Sequence, residues 1–175
     1  MKYVERRTVL KGGLGLGFAL VQGSPASRRP TPGDLLVKAG DSALKALTVD
    51  DLRNGGPPVF AWPLDPLDMT VRNGSRFNQI VLVRLDASKL SAETSARAAD
   101  GVVAYSGLCT HDGCEVDDWL MEQQLLHCGC HFSKFDPKDG ANVIDGPASR
   151  RLPALPLRIE NGKLIVAEPF TARVG

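Results

Sequence analysis

Two short cysteine–histidine boxes in the second half of this 175-residue chain limit its possible folds more than any other feature. The first box reads C-T-H-D-G-C over residues 109–114, and the second reads C-G-C-H-F-S over residues 128–133. Together they contain all four cysteines and two of the three histidines. A Cys-x-His pair followed sixteen residues later by Cys-x-x-His puts two thiols and two imidazoles on two loops. Such a set can form one metal centre only if the fold brings the two loops together.

This donor set suits one iron–sulfur cluster in which two histidines replace two cysteines on one iron. The alternative is a structural zinc site, for which Cys2His2 is a common set. Zinc fingers usually place two cysteines before two histidines, whereas each box here holds one ligand of each kind. The single-residue gap between Cys109 and His111 is also short for a zinc finger. The spare cysteines, Cys114 and Cys130, occupy equivalent places, one per loop, and could cross-link the loops.

The two boxes resemble those of the Rieske [2Fe–2S] proteins, whose motifs read C-T-H-x-G-C and C-x-C-H-x-S. The resemblance implies that Cys109 and Cys128 bind one iron and that His111 and His131 bind the other. Neutral imidazoles in place of thiolates lower the negative charge around the cluster and stabilise the added electron. Rieske potentials therefore run from about −150 to +300 mV, against about −400 mV for plant-type ferredoxins.

The resemblance extends beyond the ligands and covers about residues 100–170. It implies a disulfide between Cys114 and Cys130, and it makes residues 146–148, Gly-Pro-Ala, similar to the proline loop that covers the cluster in this family. Ser133 stands where high-potential members place a hydroxyl that bonds a bridging sulfide. Two residues later those members usually carry tyrosine, whereas this chain has Phe135, which cannot donate. We therefore expect a potential above the oxygenase type and below the tyrosine-bearing type.

The branch that the chain resembles most is the small subunit of arsenite oxidase. This resemblance rests on C-H-F-S-K-F-D at 130–136, on A-W-P at 61–63 and on an export signal. That resemblance implies the electron-transfer, non-substrate-binding subunit of a periplasmic oxidoreductase. Its partners would be a large, molybdopterin-containing catalytic subunit as donor and a cytochrome c-type acceptor. A near-neutral net charge of +1 gives no sign of nucleic-acid binding.

Two other functions stay open at the level of sequence. One is the Rieske subunit of a quinol–cytochrome c oxidoreductase, against which Asp112 counts because quinol-oxidising members usually have leucine there, near the quinone. The other is a zinc-stabilised binding module. A Rieske oxygenase is excluded, since its mononuclear iron needs two more histidines and a carboxylate, and only His127 remains.

The N-terminus resembles a twin-arginine export signal. Arg6 and Arg7 precede an apolar run over residues 12–21, which is only ten residues long, while a membrane-spanning helix needs about 20. We expect a signal peptide over residues 1–26, with small residues at 24–26 as a cleavage site, a linker over 27–33 and a periplasmic location. Membrane attachment is expected only if the segment stays uncleaved.

The remaining sequence predicts an all-β protein. Apolar or alternating runs predict strands at 35–37, 59–62, 80–85, 102–105, 119–121, 124–127, 155–159 and 163–166. Asn161-Gly162 predicts a tight hairpin between the last two, and Thr48 is placed to cap a helical turn. Residues 88–100 fit either a loop or a helical turn. We expect a Rieske fold over residues 34–175, an antiparallel base domain with a small cluster-binding insert at about 104–150.

Overall fold

The computed structural model describes residues 24–174. The arginine pair and the apolar run of the predicted signal lie outside this range. Within it the chain forms ten strands, all in antiparallel sheets. In chain order they are β1 (Leu35–Lys38), β2 (Val59–Leu64), β3 (Ile80–Arg84), β4 (Val102–Ser106), β5 (Asp118–Leu120), β6 (Leu125–Cys128), β7 (Ser133–Asp136), β8 (Asn142–Asp145), β9 (Leu157–Glu160) and β10 (Lys163–Val166).

Six strands make the base sheet, in the order β4-β3-β2-β1-β10-β9. Its central strands read as continuous apolar runs because both of their faces are covered. On β3, Ile80 and Leu82 point into one hydrophobic core, with Leu36 and Leu164. The alternate residue Val81 points into a second core that the base sheet shares with the other sheet. The period-2 geometry of a strand thus places neighbouring residues of one run in two separate cores.

The remaining four strands form a second, smaller sheet in the order β5-β6-β7-β8. It lies within the predicted insert, of which the sequence pattern predicts only the first hairpin. In β7, Ser133 and Phe135 face the core, while Lys134 faces outward and pairs with Asp145 of β8 at 2.9 Å. The register shifts between Lys134 and Phe135, so the ladder from β7 to β8 is irregular. Strands this short and this charged carry a weak period-2 signal.

Within residues 24–174, helical structure is confined to short segments, which confirms the predicted all-β class. The range left undecided holds a 3₁₀ turn at Ala87–Lys89 and a single α-helix, α1, at Ala92–Ser95. Another 3₁₀ turn at Val49–Asp51 follows Thr48 as predicted, and the Thr48 amide and hydroxyl both donate to the Asp51 carboxylate at 2.8 Å. Across residues 24–174 there is no helix with the length and apolarity to cross a membrane.

The segment predicted as a linker lies along the loop that precedes β3. The Gly74 amide donates to the Ala26 carbonyl at 2.9 Å, and Asn78 Nδ2 donates to the Arg28 carbonyl at 2.7 Å. A buried ion pair continues this attachment, with Arg72 Nε 2.7 Å from an Asp34 carboxylate oxygen. The first described residues are therefore hydrogen-bonded to the loop that leads into the base sheet.

Candidate metal centre

Both boxes sit in tight loops at the end of a strand. The first box follows β4 and folds back on itself, because the Gly113 amide donates to the Cys109 carbonyl at 3.0 Å and the Cys109 amide donates to the Cys114 carbonyl at 2.7 Å. Gly113 has φ +70, a conformation that glycine adopts freely. The second box fills the turn between β6 and β7, where Cys128 pairs with Ser133 across the hairpin. Each loop is thus held by its own backbone hydrogen bonds.

The two ligand-type cysteines meet inside the protein. Cys109 and Cys128 have free thiols that are 2% and 1% exposed, and both side chains pack into the same hydrophobic core. Burial raises the pKa of the Cys128 thiol because the thiolate loses its hydration. A bound metal reverses this preference, since it coordinates thiolates and displaces their protons. The pair is therefore protected from water and suited to metal coordination.

The two histidines of the boxes meet at the surface. The rings of His111 and His131 have centroids 4.6 Å apart and lie edge to face at 85°. Both side chains are exposed. The centre is thus polarised, with sulfur donors facing the core and nitrogen donors facing solvent. Any electron that enters or leaves through the imidazoles crosses little protein.

The spare cysteines form the predicted disulfide. Cys114 and Cys130 are joined, with their Cα atoms 6.5 Å apart, so the two loops are covalently linked. The sulfur of Cys128 lies within 4.8 Å of both disulfide sulfurs. This three-sulfur group cannot bind a metal through three thiolates, because two of the sulfurs are already oxidised. The disulfide instead forms part of the wall around the two free thiols.

The Gly-Pro-Ala loop at residues 146–148 packs against the second box. The Ala148 amide donates to the Ser133 hydroxyl at 3.2 Å, which leaves the hydroxyl hydrogen free to donate elsewhere. Gly146 has φ +88, and a Cβ added there would lie 2.5 Å from the Ser133 Cα. Ser133 is fully buried. A serine hydroxyl therefore faces the interior at the predicted position, held by the loop that was expected to cover the centre.

Several contacts of the site leave no mark in the sequence. Arg76, in the 3₁₀ turn Arg76–Asn78 before β3, donates to the Gly113 carbonyl in the first box. Next to the second box, His127 pairs with Asp118 at 2.8 Å, and this contact lowers the pKa of the Asp118 carboxyl. The His127 ring stacks on the Phe132 ring, with the two centroids 6.0 Å apart. These contacts join residues from different elements, so only the folded chain reveals them.

Comparison with known proteins places these features in one family. The family model for the Rieske [2Fe-2S] domain matches residues 70–156. The cytochrome bc1 complex Rieske iron-sulfur subunit of Streptomyces lividans is 36% identical over 126 residues, which cover 69% of this chain and 73% of that protein. A protein of Haloferax mediterranei, provisionally named as the Rieske subunit of a respiratory nitrate reductase, is 50% identical over 76 residues. That alignment covers 43% of this chain and 34% of the Haloferax protein, so this chain spans about a third of that relative.

Among solved structures, one match is the ferredoxin of carbazole 1,9a-dioxygenase from Nocardioides aromaticivorans. It superposes with a TM-score of 0.48 at 21% identity and covers 79% of this chain and 98% of the ferredoxin. The fold assignment rests on the two antiparallel sheets described above and on the sequence matches.

Proposed function

Because this chain belongs to the Rieske [2Fe–2S] family, we propose that Cys109 and Cys128 hold one iron of its cluster and that His111 and His131 hold the other. The chain is a Rieske electron-transfer subunit, and the cluster it carries takes up and releases one electron at a time. One observation supports the ligand assignment above all: two buried thiols share one hydrophobic core while two imidazoles meet edge to face at the surface.

In this assignment each group of the chain has a distinct task. The buried thiols keep water away from one side of the cluster. The exposed imidazoles bring the other side to the surface, where a partner can accept or deliver the electron. The disulfide between Cys114 and Cys130 holds the two loops at one separation in both redox states. The Ser133 hydroxyl supplies a donor that stabilises added negative charge.

The exposed face of the site bears on the choice of partners. We assign the chain to a periplasmic oxidoreductase in which a large, molybdopterin-containing catalytic subunit delivers electrons and a cytochrome c-type protein accepts them, as in the arsenite oxidase branch. Asp112, Glu115 and Asp117 are exposed beside the first box and form no ion pair within residues 24–174. Such carboxylates favour a basic acceptor surface over an apolar one.

The second candidate is the Rieske subunit of a quinol–cytochrome c oxidoreductase. The similarity to the Streptomyces protein supports it, since that relative is a bc1 subunit and aligns over most of its length. Asp112 argues against it, because an exposed carboxylate next to His111 disfavours an apolar quinone site. The two candidates differ in the partner that must copurify.

The ligand assignment is tested on the purified full chain with a matched pair of histidine variants. We expect two irons and two acid-labile sulfides per chain, and a rhombic paramagnetic signal in the reduced protein. His131→Gln should lose the cluster, whereas His127→Gln, which changes the neighbouring non-ligand histidine, should keep it. A colourless protein with one zinc, or loss of the cluster from His127→Gln alone, would contradict the assignment.

The partner assignment uses the same tagged chain, purified from its native host in soluble and membrane fractions. A copurifying large subunit that contains molybdenum supports the first candidate. Recovery only with membranes, together with a b-type haem protein, supports the second and overturns the first. The N-terminal sequence of the mature chain from the periplasm tests the signal predicted over residues 1–26.

A further inference from the structure

Arg76 is a cationic residue that belongs to neither box but contacts the first one. It lies in the 3₁₀ turn before β3, and the first box lies after β4, so the two are 37 residues apart in sequence. Its guanidinium donates to the carbonyl of Gly113. A Cβ built on Gly113 would lie 2.8 Å from Arg76 Nη2, which shows how closely the side chain covers the loop.

The contacted carbonyl lies at a sensitive point of the first ligand loop. Gly113 is the residue whose amide closes the loop onto the Cys109 carbonyl at 3.0 Å. The next residue is Cys114, which forms the disulfide to the second loop. A hydrogen bond to the Gly113 carbonyl therefore acts on the backbone between a proposed iron ligand and the cross-link. Any tilt of this peptide would move both.

The guanidinium of Arg76 is held in place by its neighbours. Its Cζ lies 5.9 Å from the centroid of the Phe77 ring, within the range of a cation–π contact. The same ring contacts a second guanidinium, that of Arg29, at 5.1 Å, and Arg29 Nη1 donates to the Phe77 carbonyl at 2.7 Å. Arg29 belongs to the N-terminal segment that is bound to this loop. The contacts of Arg29 with Phe77 and of Phe77 with Arg76 thus restrain the Arg76 side chain.

We propose that Arg76 is a positioning residue for the first ligand loop and that its positive charge raises the reduction potential of the cluster. The inference rests on the ligand assignment above, because it requires Cys109 and His111 to hold the cluster. A cation fixed near the centre lowers the free energy of the state with one more electron. The hydrogen bond fixes the loop, and the charge acts through space, so the two effects can be separated by substitution.

Separation needs one variant that removes both effects and one that restores the charge. Arg76→Met keeps an unbranched side chain and removes the charge and the donors. Arg76→Lys keeps the charge and one donor group in a different geometry. Arg53→Met is the control, because Arg53 is also exposed and forms no ion pair in the part of the chain that the structure describes. All variants are made in the full chain, and cluster content and thermal unfolding are measured first.

The decisive measurement is the midpoint potential, from film voltammetry or a dye-mediated titration at low ionic strength. For Arg76→Met we expect the equilibrium constant for reduction to fall by about threefold to tenfold, where tenfold corresponds to ~59 mV for one electron. Arg76→Lys should recover most of the loss, and Arg53→Met should match the wild type. The shift should shrink in high salt, since the guanidinium is exposed and screened.

Two further results bear on the positioning role. Hydrogen exchange over residues 109–116, followed by mass spectrometry, should speed up in Arg76→Met and stay unchanged in Arg53→Met. An unchanged potential in Arg76→Met, or an equal drop in Arg53→Met, would overturn the proposal. If Arg76→Met binds less cluster, recovery in Arg76→Lys supports the proposal and an equal loss in Arg76→Lys refutes it. A wild-type protein without the rhombic signal would instead defeat the ligand assignment, so the two failures are distinct.

Discussion

Ser133 and Phe135 lie two residues apart on β7, and only Ser133 can donate a hydrogen bond from its side chain. Both lie on the buried face of β7, and both are fully buried. Their side chains therefore point to the same side of the strand, toward the core that contains Cys109 and Cys128. Ser133 offers a hydroxyl there, whereas Phe135 offers only an aromatic ring. The potential of this chain should consequently reflect one hydroxyl donor from β7 and not two.

Substitution of Phe135 by tyrosine should raise the reduction potential. A phenolic donor to the reduced cluster contributes about 1 kcal/mol, or roughly 40 mV for one electron. Film voltammetry of Phe135→Tyr measures the shift, and Phe170→Tyr, which adds a hydroxyl to the other core, is the control. A less stable Phe135→Tyr protein with the wild-type potential would mean that the new hydroxyl finds no acceptor at the cluster, contrary to the expectation.

Contacts between elements attach the second sheet to the base. Trp119 of β5 packs on Gly56 in the loop before β2, and a Cβ at Gly56 would lie 2.6 Å from the indole nitrogen. Two strands away in the same sheet, the loop at residues 146–148 is similarly close to Ser133 of β7, with 2.5 Å between a Cβ built on Gly146 and the Ser133 Cα. Glycine is needed at both points because each backbone approaches its neighbour too closely for any side chain. These two contacts orient the sheet that carries the second box.

Replacement of Gly146 by alanine should displace the loop that covers the second box. The new Cβ would clash with the Ser133 backbone, in addition to the ~1 kcal/mol cost of an alanine at positive φ. Gly162→Ala isolates that second cost, because Gly162 also has positive φ but has nothing within 4 Å of its Cβ position. Urea unfolding should show a loss well above ~1 kcal/mol for Gly146→Ala, accompanied by reduced cluster content. Equal losses in the two variants would show that the loop yields without consequence.

Considered as a whole, the molecule is held together at its N-terminal side by a buried charge cluster. Arg72 donates to both carboxylate oxygens of Asp34, at 2.7 and 2.9 Å, and also reaches Asp65 at 3.0 Å. The side chains of Arg72 and Asp34 are 5% and 3% exposed. This cluster joins the start of β1 to the loop that follows β2. It therefore links two loops of the base domain through buried side chains.

Removal of Arg72 should destabilise the whole chain. Arg72→Met leaves Asp34 buried without its partner, which typically costs about 3–5 kcal/mol. The comparison is Lys45→Met, which breaks the exposed pair between Lys45 and Asp51 and should cost about 0–1 kcal/mol. The free energy of unfolding in urea at neutral pH measures both. A loss below about 1 kcal/mol for Arg72→Met would mean that Asp34 gains water or protonates at little cost.

The sequence alone determined the chemistry of the centre and most of the base sheet. A loop that presents a thiol and an imidazole a few residues apart needs a cysteine and a histidine at fixed positions in a short stretch of sequence. The boxes at 109–114 and 128–133 could therefore be interpreted without knowledge of the fold. Strands such as β3 are long β-branched runs, and their type is equally local. The pairing of Cys114 with Cys130, implied by the family resemblance, is confirmed by the structure.

Only the tertiary structure decided which distant residues support that centre. Strands β7 and β8 are too short and too charged to show a pattern. In the structure β7 pairs with β6 across the second box, and β8 then pairs with β7. Arg76 meets Gly113, Arg72 meets Asp34 and Gly74 meets Ala26 across long stretches of chain. A contact between residues so far apart depends on the path of the whole backbone, and no short motif encodes that path. Local chemistry was therefore predictable, whereas the groups that position and tune it were not.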